Sequence, residues 1–294
     1  MSELLLATEG GQTVLFDPLT KRHEVVFRCS AEEAMMGIEI VGDHLFVASL
    51  SRIYKLALPH FELVTQTELY DPTPDFHQMQ CYDGTLYVTA TKENQIWMFD
   101  ENLGEPRIHQ VEPPNPRRRA KYKKNYNHLN NIVRHEGRFY IDLNWLTQTQ
   151  YADSGVLVTD GALDEIERFA FGWETHDFQF IDGRRVAICA TSSRGKKVRH
   201  PWRSGLMVEG ELVFEHDPDE AFCKALCYDD ERIYVCGGRK RERKMRKFSN
   251  SILYILDRGT YELIERYEDT DIKAIKGAIR CPIQGAGVIE TASS

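Results

Sequence analysis

His77-Gln78-Met79-Gln80-Cys81-Tyr82-Asp83-Gly84-Thr85-Leu86-Tyr87-Val88, continued by Ile96-Trp97-Met98-Phe99-Asp100, is the stretch that decides the fold. It reads as a polar opener, a short apolar strand, an Asp-Gly turn, a second strand, a loop and a third strand ending in Asp. Working outward, the same unit returns. His128 leads through His135-Glu136-Gly137 and Phe139-Tyr140-Ile141 to Val156-Leu157-Val158. His176 leads through Ile181-Asp182-Gly183 and Val186-Ala187-Ile188 to Leu206-Met207-Val208. Gly37 opens a copy that turns at Val41-Gly42-Asp43, and Lys224 opens one that turns at Tyr228-Asp229-Asp230. An all-strand unit recurring about every 40–55 residues specifies an all-β fold, a β-propeller.

Five units are intact and the sixth is split. Lys276-Gly277-Ala278-Ile279-Arg280 near the end reads as a first strand. Leu4-Leu5-Leu6 and Val14-Leu15-Phe16-Asp17 near the start read as later strands of a unit. Sharing one blade between the termini closes the ring without exposed edges. The expectation is a single six-bladed propeller over residues 1–294. Val288-Ile289-Glu290 competes with the N-terminal strand for the second position, which leaves five or seven blades open.

Bulk properties narrow the class. Of the 294 residues 42% are hydrophobic and 11% aromatic, enough for a sizeable core. No apolar run approaches the roughly 18 residues of a membrane span, and residues 1–9 lack the basic start of a secretory signal. A cytoplasmic protein with no membrane partner is expected. Seven cysteines without a CxxC pair fall near strand ends, as small buried side chains with reduced thiols do.

Strand alternation selects one face. If each innermost strand starts at the top, the links from second to third strands and from blade to blade also lie on top. The openers Gly37, His77, His128, His176, Lys224 and Lys276 then ring the upper mouth of the channel. Three basic segments hang over it, 117–124, 194–203 and 239–247. They hold about half of the 37 lysines and arginines, in a chain of net charge −8. A focused positive mouth attracts anions. Arg119, Lys197, Arg199, His200, Arg239, Lys224 and Lys276 are therefore candidate ligand-binding residues. Trp202, Trp145 and Tyr151 also fall in expected top loops, where rings stack on ligands or pack beneath the chain.

Three histidines at matching positions are candidate catalytic residues and candidate metal ligands. Three imidazoles with an open fourth position suit zinc, and iron or copper equally. Asn130 and Asp177, beside His128 and His176, would orient the rings. Without a metal, the same histidines serve as general acid, base or nucleophile. The structural alternative is that they bond the backbone of neighbouring blades.

The segment Asn127-His128-Leu129-Asn130-Asn131, before His135-Glu136-Gly137, resembles a His-Leu-Asn-Gly motif in a family of uncharacterised bacterial propeller proteins. His77-Gln78-Met79-Gln80 and His176-Asp177-Phe178-Gln179 are similar to its other His-led repeats. The resemblance spans about residues 37–190, departs at Asn131, where that family tends to have Gly, and implies a fold without an activity. A looser similarity is to six-bladed sulfotransferase-type propellers with central histidines.

The preferred reading is a propeller binding an anionic small molecule at its top mouth. Its histidine centre would perform lyase, hydrolase or group-transfer chemistry, with or without a divalent metal. The rival is a non-catalytic module docking an acidic protein, nucleic acid or sulfated glycan.

Overall fold

The computed structural model describes residues 2–29, 33–113, 125–146, 153–191 and 202–282, with the backbone alone at 243, 244 and 246. Six four-stranded antiparallel sheets stand around a central channel. The innermost strands of blades 1 to 5 are Met35–Val41, Phe76–Tyr82, Leu129–His135, Thr175–Ile181 and Ala221–Tyr228. Blade 6 takes its innermost strand, Ile275–Arg280, from the C-terminal end. Its other three, Leu4–Thr8, Gln12–Phe16 and His23–Arg28, come from the N-terminal end. Leu4 pairs with Arg280 and Ala7 with Gly277, so the N-terminal strand holds the second position. The segment 288–290 lies outside the described residues.

Local chemistry explains the blades. The turns after the inner strands of blades 2, 3 and 4 carry positive φ at two successive residues, Asp83-Gly84, Glu136-Gly137 and Asp182-Gly183. That is the geometry of tight hairpins whose twist matches the strands. Both faces of each sheet are covered by neighbours, so Leu4, Leu5 and Leu6 are all buried. The core is accordingly divided into apolar clusters between blades. None of the seven cysteines, all among the described residues, forms a disulfide. Burial raises the Cys189 thiol to about 12, consistent with a packing role.

One irregularity positions the site. Every inner strand breaks register against its partner near the top. The breaks fall between Met35 and Gly37, Phe76 and Met79, Leu129 and Ile132, and His176 and Gln179. They continue between Cys223 and Ala225, and opposite Ala7 and Thr8 in blade 6. A bulge re-aims side chains and bends the strand.

Candidate functional site at the channel mouth

The pairing register defines six equivalent positions: Met36, His77, Asn130, His176, Lys224 and Lys276. All six, with Gln78 and Asp177, line one small cavity in the channel. The expected opener Gly37 is one residue off, because Met36 is the bulged residue. His128 is two residues off. It precedes the strand with φ +53°, and Asn130 occupies the position of His77 and His176.

After four of these six positions, the following residue (Gly37, Asn131, Asp177 or Gly277) meets the next blade. A Cβ on Gly37 would meet the His77 carbonyl oxygen at 2.4 Å, and one on Gly277 the Met36 carbonyl oxygen at 2.4 Å. Blades 1 and 6 therefore depend on bare backbone here. In blade 3, Asn131 instead uses its amide. Its Nδ2 donates to the Phe178 carbonyl at 2.7 Å, and its Oδ1 accepts from the Phe178 N–H at 3.2 Å. In blade 4, Asp177 Oδ2 accepts from the Leu226 N–H at 2.6 Å. Asp177 thus holds the next blade rather than orienting a histidine ring. Burial still raises its carboxyl to about 6.

The histidines have distinct surroundings. His77 Nδ1 lies 3.1 Å from the Asp75 carbonyl oxygen and 2.8 Å from Thr91 Oγ1. That hydroxyl spends its proton on the Leu129 carbonyl of blade 3. Both neighbours accept, so Nδ1 carries the hydrogen and Nε2 keeps its lone pair. Burial lowers the pKa of His77, and the charges of Lys224 and Lys276 push the same way against Asp75. His176 is 5% exposed and held well below its usual range, first by burial, then by Lys224, His128, His77 and Lys276. Both imidazoles are therefore neutral near pH 7. His128 sits above, with its ring centre 5.7 Å from His77 and stacked on Trp145 at 4.9 Å. Its Nδ1 is 2.9 Å from Asn125 Oδ1.

These three histidines do not bring one nitrogen each within 4.8 Å of one another. Among the described residues, one group of three brings a ligand atom from each within 4.8 Å of the others, and it is His23, Asp269 and Asp271 on the outer strands. His77 and His176 line the channel cavity. Nδ1 is engaged in both His77 and His128, and in His77 this leaves Nε2 as the nitrogen open to a ligand.

The cations divide likewise. Lys224 Nζ lies 5.0 Å from the centre of the Phe222 ring. Lys276 is 8% exposed and pairs with Glu9 Oε2 at 2.8 Å, a counter-charge on the blade-6 loop that charge patterning in the sequence did not single out. Arg239 lines an adjoining cleft with Arg241, Glu9, Ser249 and Lys276, and also pairs with Glu268 at 3.0 Å. Trp202 packs beneath Lys240, whose Nζ is 5.6 Å from its ring centre. Arg119, Lys197, Arg199, His200 and Tyr151 lie outside the described residues. The channel cavity itself has room for about one water molecule.

This fold defines the class, a six-bladed β-propeller, and solved structures agree with it. One is a chain from a nidogen/laminin complex, with TM-score 0.64 and 11% identity, covering 95% of this chain and 98% of that one. Another is a protein of unknown function from Bacteroides caccae, with TM-score 0.66, 11% identity and coverage of 96% and 99%. The β-propeller domain of Myceliophteria thermophila Cps50 (Swd1) has TM-score 0.54 and 11% identity, with coverage of 91% and 82%. At that identity the likeness concerns the fold alone. No family model matches this chain, and no curated protein matches it in sequence.

Proposed function

We propose that this propeller binds an anionic small molecule at the top mouth of its channel, entering charged end first. The observation that carries this reading is the convergence of Lys224 and Lys276 on the cavity that His77, His176 and Asn130 line. Lys224 adds an ammonium group beside imidazoles that burial keeps neutral, while Lys276 shares its charge with Glu9. Arg239, paired with Glu268, and Arg241 line the neighbouring cleft together with Glu9. The cavity admits only the tip of a ligand, so its body lies outside the cavity. The Asn127-His128-Leu129-Asn130 segment still resembles the uncharacterised bacterial propeller family, and Asn131 sits in register with Gly37 and Gly277, where a glycine is at home.

Any catalysis at this site runs through His77. Its Nε2, with Nδ1 fixed as donor, is the group that takes a proton from a bound acid. That suits lyase or hydrolase chemistry without calling on a metal. The test is isothermal titration with phosphate, sulfate and citrate at constant ionic strength, on the intact chain and on Lys224→Met. Binding that weakens at least tenfold in the variant supports the reading. Binding that Lys224→Met leaves unchanged, or none of any anion, rejects it. Capture of heparin or single-stranded nucleic acid with a steep salt slope, and no small-anion binding, favours the docking module instead.

A further inference from the structure

The channel cavity carries hydrogen-bond acceptors as well as cations. Asn130 is 2% exposed, and its Nδ2 donates to the Thr175 carbonyl oxygen. A carbonyl oxygen accepts only, so the amide orientation is fixed with Oδ1 on the other side. Asn130 Oδ1 is buried and has no hydrogen-bond partner among the described residues. A buried unpartnered acceptor is costly and is retained where something else satisfies it. His77 Nε2 is a second acceptor on the same cavity, because Nδ1 is spoken for by Asp75 and Thr91.

Two cations and two acceptors around space for one oxygen select a particular kind of anion. A bare oxyanion vertex is drawn to Lys224 and to Lys276, the latter also paired with Glu9, but sets its lone pairs against Asn130 Oδ1 and His77 Nε2. An oxyanion vertex that carries a hydrogen donates to one acceptor and still accepts from a lysine through its remaining lone pairs. We propose that the site is selective for a protonated oxyanion of the phosphate type and discriminates against sulfate. This inference rests on the anion-binding reading and adds ligand class to it. Rejection works through the unmatched acceptors, as sites with fixed polar groups discriminate between near-isosteres.

Phosphate and sulfate have one shape and similar charge near pH 7.5, and differ in the hydrogen. Calorimetric titration of the intact chain with each at that pH is the direct experiment. Phosphate binding at least tenfold tighter than sulfate is the expected result. Glycerol phosphate separates a free anion from a phosphomonoester. It carries its hydrogen only below its second pKa of about 6. Its affinity should therefore fall between about pH 5.5 and 7.5 more than that of inorganic phosphate. Asn130→Ser, which removes the amide oxygen, should bring sulfate and phosphate together. Should that variant not fold, the ratio in the natural chain decides. Equal binding of the two anions overturns the selectivity and leaves anion binding standing. Failure of both to bind overturns the site and the selectivity together.

Discussion

At the scale of single residues, the channel is a case of burial set against charge. Asp142, on the second strand of blade 3, is fully buried, and Oδ1 accepts from Thr175 Oγ1 at 2.7 Å. Burial is the larger effect, and the neighbouring carboxylate of Asp177 adds to it. The carboxyl is pushed up from its usual 3.8 to about 7, despite hydrogen bonds from Thr175 and Asn130. The folded chain then keeps a proton that the unfolded chain has lost. Stability from this group is full below the unfolded value and is lost as pH rises through about 7. Asp142→Asn cannot ionise and keeps an acceptor for Thr175. Urea midpoints for the variant and the natural chain should therefore shift in the variant's favour from about pH 5 to pH 8. A pH-independent difference would mean that Asp142 ionises normally. His77 and His176 act with the opposite sign. Buried neutral, they lose stability as pH falls through the usual histidine range, so the two effects offset in the natural chain and separate in the variant.

At the scale of the strand, the sequence holds a ruler for the channel positions. Counting six residues back from the first turn residue gives Met36 from Gly42, His77 from Asp83 and Asn130 from Glu136. The same count gives His176 from Asp182 and Lys224 from Asp230. The turns and strand edges were legible because Asp-Gly pairs and β-branched runs announce them. The third-strand ends behave as their chemistry suggests. Asp17, Asp100, Asp160 and Asp257 each accept from a backbone N–H two residues on, at 2.8 to 2.9 Å. His128 drew attention by residue type and hid the register, because a bulge leaves no mark in the hydrophobic alternation. The tautomer of His77 and the counter-ion Glu9 were not legible, since their partners come from loops and from a distant part of the chain. Asn131 tests what the register means. Its amide satisfies both backbone groups of Phe178, a residue 0% exposed. Asn131→Ala should cost about 2 kcal/mol in urea denaturation, because both groups are then left buried without partners. A cost near zero would show that Phe178 finds substitutes when the inner strands relax.

At the scale of the molecule, everything at the mouth depends on closing the ring. Lys276 reaches the channel only because Ile275–Arg280 completes blade 6, and Glu9 meets it only because Leu4–Thr8 pairs alongside. The join is continued by the Cys281 N–H, which donates to the Glu3 carbonyl at 2.8 Å. Without the C-terminal strand, the edge of Leu4–Thr8 is bare, and Leu4, Leu6 and Ala225 lose the cover of Ile275 and Ala278. An uncovered inner edge also leaves blades 1 and 5 facing an open side of the channel, so the loss is not local. A chain ending at Pro282 should unfold in urea as one transition, with near-ultraviolet dichroism and fluorescence coincident. A chain ending at Ala274 should lose that coincidence and unfold at lower urea, and a peptide of residues 275–282 added in excess should restore part of the midpoint by mass action. The peptide arm distinguishes a lost strand from general damage, because rescue requires a vacant inner edge of the right register. If the shorter chain kept the same single transition at the same urea concentration, Ile275–Arg280 would not be needed to hold the ring together.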